Sequence, residues 1–210
     1  MNRLSLLLTI SLIILSQCNS KTSQRAEIPY DSIRVVLEKV FDSDQHIRRI
    51  IQDSIGYDSP ETPAYFSKMI SIDKDNQDIL MPVLLKYGWL PKSKIGEKAS
   101  DAIFCVIQHG EHEVMNEYFP QLDSLAQIGE ASKTNAAMME DRLLVWKGLK
   151  QKYGTQATRS LRADKVMVIW PIEDTAGVDR LRKEAGFELT VLENAQRLGA
   201  VYDPEEKLPD

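Results

Sequence analysis

From Ile33 to Ile55 the apolar residues return every three or four positions, as Ile33, Leu37, Val40, Phe41, Ile47, Ile50, Ile51 and Ile55, and Gly56 follows at once. That spacing lays one apolar stripe along a helix and supplies its C-terminal stop. A striped helix has to bury its stripe against other elements, so the pattern constrains the chain to layered helix packing. The same period returns through Met69, Ile72, Ile79, Leu80, Val83, Leu84 and Tyr87, then over about 97–109, 111–128 and 133–151. The last of these carries Ala137, Met138, Val145 and Leu149 on one face. Pro82 falls inside the second region and is expected to kink or divide it, because proline has no N–H and clashes with the preceding turn. "SPETP" reads as a turn and "GWLPKSKIG" as a loop. After residue 151 the character changes. "YGTQATRS" alternates threonine with other residues, and "KVMVIWPI" is a β-branched run closed by Pro171, which together predict a small hairpin. "EDTAGVDRLRKEAGF" and "TVLENAQRLG" return to helix. The expected fold is mostly α, with about six to seven helices and a small two-stranded β element near the C-terminal third.

The first eighteen residues stand apart from this pattern. Arg3 precedes a twelve-residue, largely apolar run from Leu4 to Leu15, too short for a bilayer-spanning helix of ~20 residues and of the length of a secretory signal. Leu15-Ser16-Gln17-Cys18 resembles a bacterial lipobox, although Gln17 stands where glycine or alanine is usual. The expected organisation is a signal peptide over 1–18, a polar tether over 19–29 and a single mainly helical domain over 30–210. The expected location is the bacterial cell envelope, with Cys18 lipidated and the membrane contacted through that lipid. Cys105 is then left without a disulfide partner, and packing alone must hold the fold. Without Arg3 the chain has 25 basic against 31 acidic residues and no run of lysine or arginine, which disfavours a nucleic-acid partner.

Polar residues in apolar surroundings are the informative ones. "AIFCVIQHG" runs from Ala102 into Gln108, His109 and a helix-ending Gly110, and Ala102, Cys105 and His109 fall on one side of that helix. Asp141 stands three residues after Met138 and four before Val145, so it also points toward the core. A lone buried carboxylate is costly, and the expectation is that His109 and Asp141 meet, directly or through Gln108, Arg142 or a water. The plain alternatives are a helix-end histidine satisfied by one hydrogen bond and an acid paired with Arg142 or a backbone amide.

The blocks "DKDN" at 73–76, "GW" at 88, "VIQH" ending at His109, "EDRLLVWKG" at 140–148, "QKYGTQ" at 151–156 and "PIEDTAGVDRLRKEAGF" at 171–187 resemble domain-of-unknown-function family 6624. "GWLP" departs from the Trp-Pro of many members. The resemblance implies a mostly helical fold and a shared polar cluster falling on Asp73, Asn76, Gln108, His109, Asp141, Arg142, Gln151, Tyr153, Gly154 and Gln156. It implies no activity.

Two function classes remain open at this level. In one, Asp73, Asn76, Gln108, Arg142, Gln151, Tyr153 and Gln156 form a structural network, or a pocket for a small polar ligand or an envelope partner. In the other, His109 is a general acid or base oriented by Asp141 in a hydrolase or transferase. No cofactor and no metal are expected: His109-x-x-His112 crosses the break at Gly110, and no second ligand pair has the spacing of a closed zinc site. Cys105, inside "IFCVI", reads as a small buried hydrophobe and not a nucleophile. No phosphate loop, nucleophile elbow or dinucleotide fingerprint is present. Trp89, Trp146 and Trp170 read as core residues.

Overall fold

A computed structural model describes residues 27–56 and 59–209. The expected signal peptide, Cys18 and most of the tether lie outside these residues. Helix α1 (Tyr30–Arg49) buries Ile33, Leu37, Val40, Asp44 and Ile47, and its axis continues into a π-helical turn, Ile50–Ile55, that ends at Gly56 with φ 79°. Ile28, just ahead of α1, already packs against the helical core. Helix α2 (Thr62–Tyr87) is followed by the short α3 (Lys92–Ile95), then α4 (Glu97–Gln108), α5 (His112–Gln127) and α6 (Lys133–Trp146). Strands β1 (Ala157–Thr158) and β2 (Val168–Ile169) pair antiparallel, Ala157 opposite Ile169, and α7 (Val178–Glu184) and α8 (Val191–Arg197) complete the chain. The mostly α class and the C-terminal hairpin are as the periodicity and composition predict. None of the helices among the described residues is long and apolar enough to cross a membrane.

The centre of the molecule is α4. Every residue from Ala102 to Gln108 is buried, and α1, α2, α3, α5 and α6 all pack against this helix. A helix surrounded on all sides has no solvent face to supply with polar residues, which is why "AIFCVI" shows no polar face. A second, smaller cluster joins Ile169, Ile172, Val178, Val191 and Ala195 beneath the hairpin and α8.

Three details differ from the sequence reading. Pro82 does not divide α2, which runs through it unbroken; Pro82 is exposed, so water can serve the carbonyl that its missing N–H leaves free. The loop expected at "GWLPKSKIG" contains α3, raising the helix count to eight among the described residues. Helix α6 stops at Trp146 and not near 151, because Gly148 takes φ 70° and its N–H, with that of Leu149, closes back on Val145 and Leu144.

Candidate functional site

Asp141 is fully buried on α6 and organises the turn that follows. Its Oδ1 accepts the backbone N–H of Lys152 at 2.7 Å and of Tyr153 at 3.0 Å, and its Oδ2 accepts the N–H and the hydroxyl of Thr155 at 3.0 and 2.9 Å. Burial pushes its carboxyl above the ordinary value, and these bonds pull it back without cancelling the shift. Gln151 is equally enclosed. Its amide accepts the N–H of Gln156 and donates to the carbonyls of Gln156 and Trp170, while its backbone bridges to the Ile172 region. Gly154 holds φ 68°, and its carbonyl accepts from Asn194; a Cβ there would lie 2.6 Å from Val191 Cγ2. The Tyr153 carbonyl accepts from Arg182, itself buried and stacked on Phe187. Asp141 and Gln151 therefore hold the Tyr153–Gln156 turn onto the C-terminal layer.

His109 finds a different acid. Its Nδ1 lies 3.1 Å from Oδ1 of Asp44, a carboxylate on α1 that is 1% exposed. The expected pairing with Asp141 is replaced by this one, because α1 and not α6 presents its acid to the end of α4. Asp44 also holds Arg48 at 3.0 Å one turn along α1, and Arg48 reaches on to Asp73 of α2 at 2.9 and 3.0 Å. Burial raises the Asp44 carboxyl, but His109, Arg48 and Gln45 outweigh it and hold it below the ordinary value. Beside this chain, Ser43 donates to Asn76 Oδ1 at 3.0 Å, whereas Asn76 Nδ2 is buried with no partner.

Gln45, Arg48 and His109 border a cavity of about 540 Å³ where α1, α2, α4, α6 and α8 meet. Gln108 and His109 come from the end of α4, Gln45 and Arg48 from α1, Arg142 from α6 and Arg197 from α8. The wider π turn brings the adjacent Ile51 and Gln52 both to its wall. Two of its polar atoms are buried without partners, Gln108 Oε1 and Arg142 Nε. Burial, reinforced by the charge of Arg48, pushes the Arg142 guanidinium down from its usual range, with no carboxylate acting against it. Arg48 pairs with both Asp44 and Asp73, but among the described residues neither Arg142 nor Arg197 forms an ion pair; Arg197 donates only to Asn194. The cavity thus has two guanidinium groups outside any ion pair, the largely buried Arg142 and the exposed Arg197.

The ten residues singled out from sequence consequently divide. Gln108, His109 and Arg142 line the cavity, Asp73 lies one contact behind it through Arg48, and Asn76 sits in the adjacent helix packing. Asp141, Gln151 and Gly154 belong to the turn. Gln156 lines a neighbouring cavity with Arg142, and Tyr153 faces a third cavity between α6 and α7. Cys18 lies outside the described residues. Asp44, Arg48, Gln45, Gln52 and Arg197 were not singled out. The signal for Asp44 was present: it falls on the stripe Leu37, Val40, Asp44, Ile47, an acid where the period demands an apolar residue. Arg48 and Arg197 come from segments distant from Arg142 and leave no local trace.

Asp44, Asp73 and His109 offer ligand atoms within 4.8 Å of one another, a geometry a divalent cation can use. Arg48 already bridges both carboxylates and supplies the charge such an ion would bring, so a cation has to displace it. His112 is not part of this group; it stacks on Trp146 at 5.2 Å, on an exposed surface. Trp146 is thereby no core residue, unlike the buried Trp89 and Trp170. Cys105 is a free, buried thiol whose pKa burial pushes up to about 12, so the thiolate needed for nucleophilic attack is not formed near neutral pH.

No curated protein and no solved structure matches the chain. The model of one family, described as a family of unknown function and named DUF6624, matches residues 32–203, which takes in all but the first two residues of α1, every later helix and the whole cavity; the chain belongs to that family.

Proposed function

We propose that this is an exported, lipid-anchored envelope protein whose central cavity recognises a small anionic ligand. The observation that carries the reading is Arg142, a largely buried guanidinium with an unpartnered Nε and no ion pair, facing the same cavity as Arg197. Burying an unpaired cation is costly, and an anion with several acceptor oxygens removes that cost through charge-assisted bonds. Gln45, Gln52 and Gln108 add amide donors and acceptors around it. Titration calorimetry with inorganic phosphate tests the reading: binding is expected for the purified protein and its loss in Arg142→Gln. Equal affinity in both would sink it. The export and anchoring parts rest on the apolar N-terminal run and Cys18, and mass spectrometry of the mature N-terminus decides them; an unprocessed Met1 or an unmodified thiol at Cys18 is the contrary result.

A second reading is favoured by the Asp44–His109 contact. A carboxylate at Nδ1 favours the tautomer with its proton there, leaving Nε2 as a base available to the cavity. An anionic ester held by the arginines would then meet a histidine able to activate water, a hydrolase with His109 as general base and Asp44 orienting it. The discriminating experiment is turnover of a phosphate monoester. Hydrolysis abolished by His109→Gln with phosphate affinity intact supports catalysis, and binding without turnover leaves recognition alone.

A further inference from the structure

The cavity has a neighbour. A second one, of about 290 Å³, lies between α6, the Thr155–Ala157 segment and the end of α8, and Arg142 and Arg197 line both. Its wall is mixed where that of the first is mainly polar: Met138, Met167, Leu198 and Ala157 form an apolar part, and Thr155 and Gln156 a polar one. The two guanidinium groups therefore stand between a polar compartment and one with an apolar part.

We propose, on the basis of the anion-binding reading above, that the ligand is a phosphate monoester of a short apolar alcohol. Its phosphate is held by Arg142 and Arg197, and its substituent occupies the methionine-lined cavity. Oxygen number selects the head group. Asp44 and Asp73 both pair with Arg48, so Arg142 and Arg197 have no ion-pair partner, and a phosphate monoester offers each of them acceptor oxygens where a carboxylate has only two to share. Wall chemistry selects the tail, since flexible thioether side chains adapt to apolar groups of varied shape. The construction of the turn is consistent with this assignment. Asp141 and Gln151 fix the backbone of residues 152–156, which presents Thr155 and Gln156 as a rigid edge to the apolar cavity.

The test is a calorimetric series of inorganic phosphate, methyl phosphate and butyl phosphate on the whole mature protein, repeated on Met167→Trp and Leu198→Trp, which fill the apolar cavity. Butyl phosphate is expected to bind the parent at least about tenfold more tightly than methyl phosphate, as burial of the added methylenes implies. That gain is expected to vanish in a filled variant that keeps its melting temperature and its affinity for inorganic phosphate. Because a bulky substitution can upset packing, the parent series is read first and decides alone if neither variant folds. Equal binding of butyl and methyl phosphate, with inorganic phosphate still bound, overturns this inference and leaves the anion site standing. A gain that survives in a well-folded variant also overturns it, since the substituent then lies elsewhere. No binding of any of the three overturns both.

Discussion

Asp44 and Asp141 are both acids set into apolar helix stripes, yet their surroundings give them opposite properties. Asp141 serves backbone donors that nothing else satisfies, so Asp141→Ala is expected to cost at least about 3 kcal/mol, because several buried amides lose their acceptor together. Chemical denaturation measures it. A loss below about 1 kcal/mol would show that the turn keeps itself in place. Asp44 has a folded-state pKa below its unfolded value, so its contribution to stability is fully present above that unfolded value near 3.8 and is lost as the pH falls through the folded one. Asp44→Asn is therefore expected to be less stable than the parent at neutral pH, with the gap closing in acid. A gap that stays constant to the acid limit contradicts the pairing. Gly154 makes a third case. With φ 68° and a Cβ position 2.6 Å from Val191 Cγ2 and 2.9 Å from Ile172 Cδ1, Gly154→Ala is expected to lower stability by about 2 kcal/mol or more. An unchanged melting temperature would contradict that close approach.

Among the elements, α2 tests how far proline rules carry. Pro82 sits inside a continuous 26-residue helix on an exposed position, so its clash and missing hydrogen bond act without any compensating contact from the core. Pro82→Ala is expected to stabilise the protein by about 1–2 kcal/mol, the helix-propensity gain of roughly 3 reduced by the greater freedom of the unfolded chain. A fall in melting temperature would contradict this. Helix α4 behaves oppositely. Its residues from Ala102 to Gln108 are all enclosed, so there is no face on which a change is neutral, and Ile107→Ala is expected to cost about 2–5 kcal/mol. The C-terminal elements are short and add polar contacts to their small apolar cluster. Arg182 ties α7 to the carbonyls of Tyr153 and Leu189, and a capping box at Thr190 and Glu193 starts α8.

At the scale of the whole molecule there are two apolar clusters, and the cavity opens where α8 of the C-terminal layer approaches the helical core. What could be read from the chain alone was whatever depends on neighbours in sequence. Apolar spacing determined the helices and most of their buried faces, including the burial of Asp141, because the period of a helix is a local property; Ile79 and Leu149 share the period and are exposed nonetheless. Turn chemistry and β-branched composition marked the hairpin, and "YGTQ" marked a turn that does depend on Gly154. Partner choice was not local. Whether His109 meets Asp44 or Asp141 depends on which helix lies across the end of α4, and two helices of equal apolar pattern are equivalent candidates until packing selects one. The arginines illustrate the same limit: Arg48, Arg142 and Arg197 are separated by most of the chain, in a sequence with an excess of acidic residues, and only the approach of α8 to α1 and α6 gathers them around one cavity. Sequence by itself determined where the helices run and most of what they bury; the tertiary structure decided which residues, Trp146 among them, stay outside and what each buried one meets, because hydrogen bonds and ion pairs form over a few ångströms between groups whose distance along the chain is unconstrained.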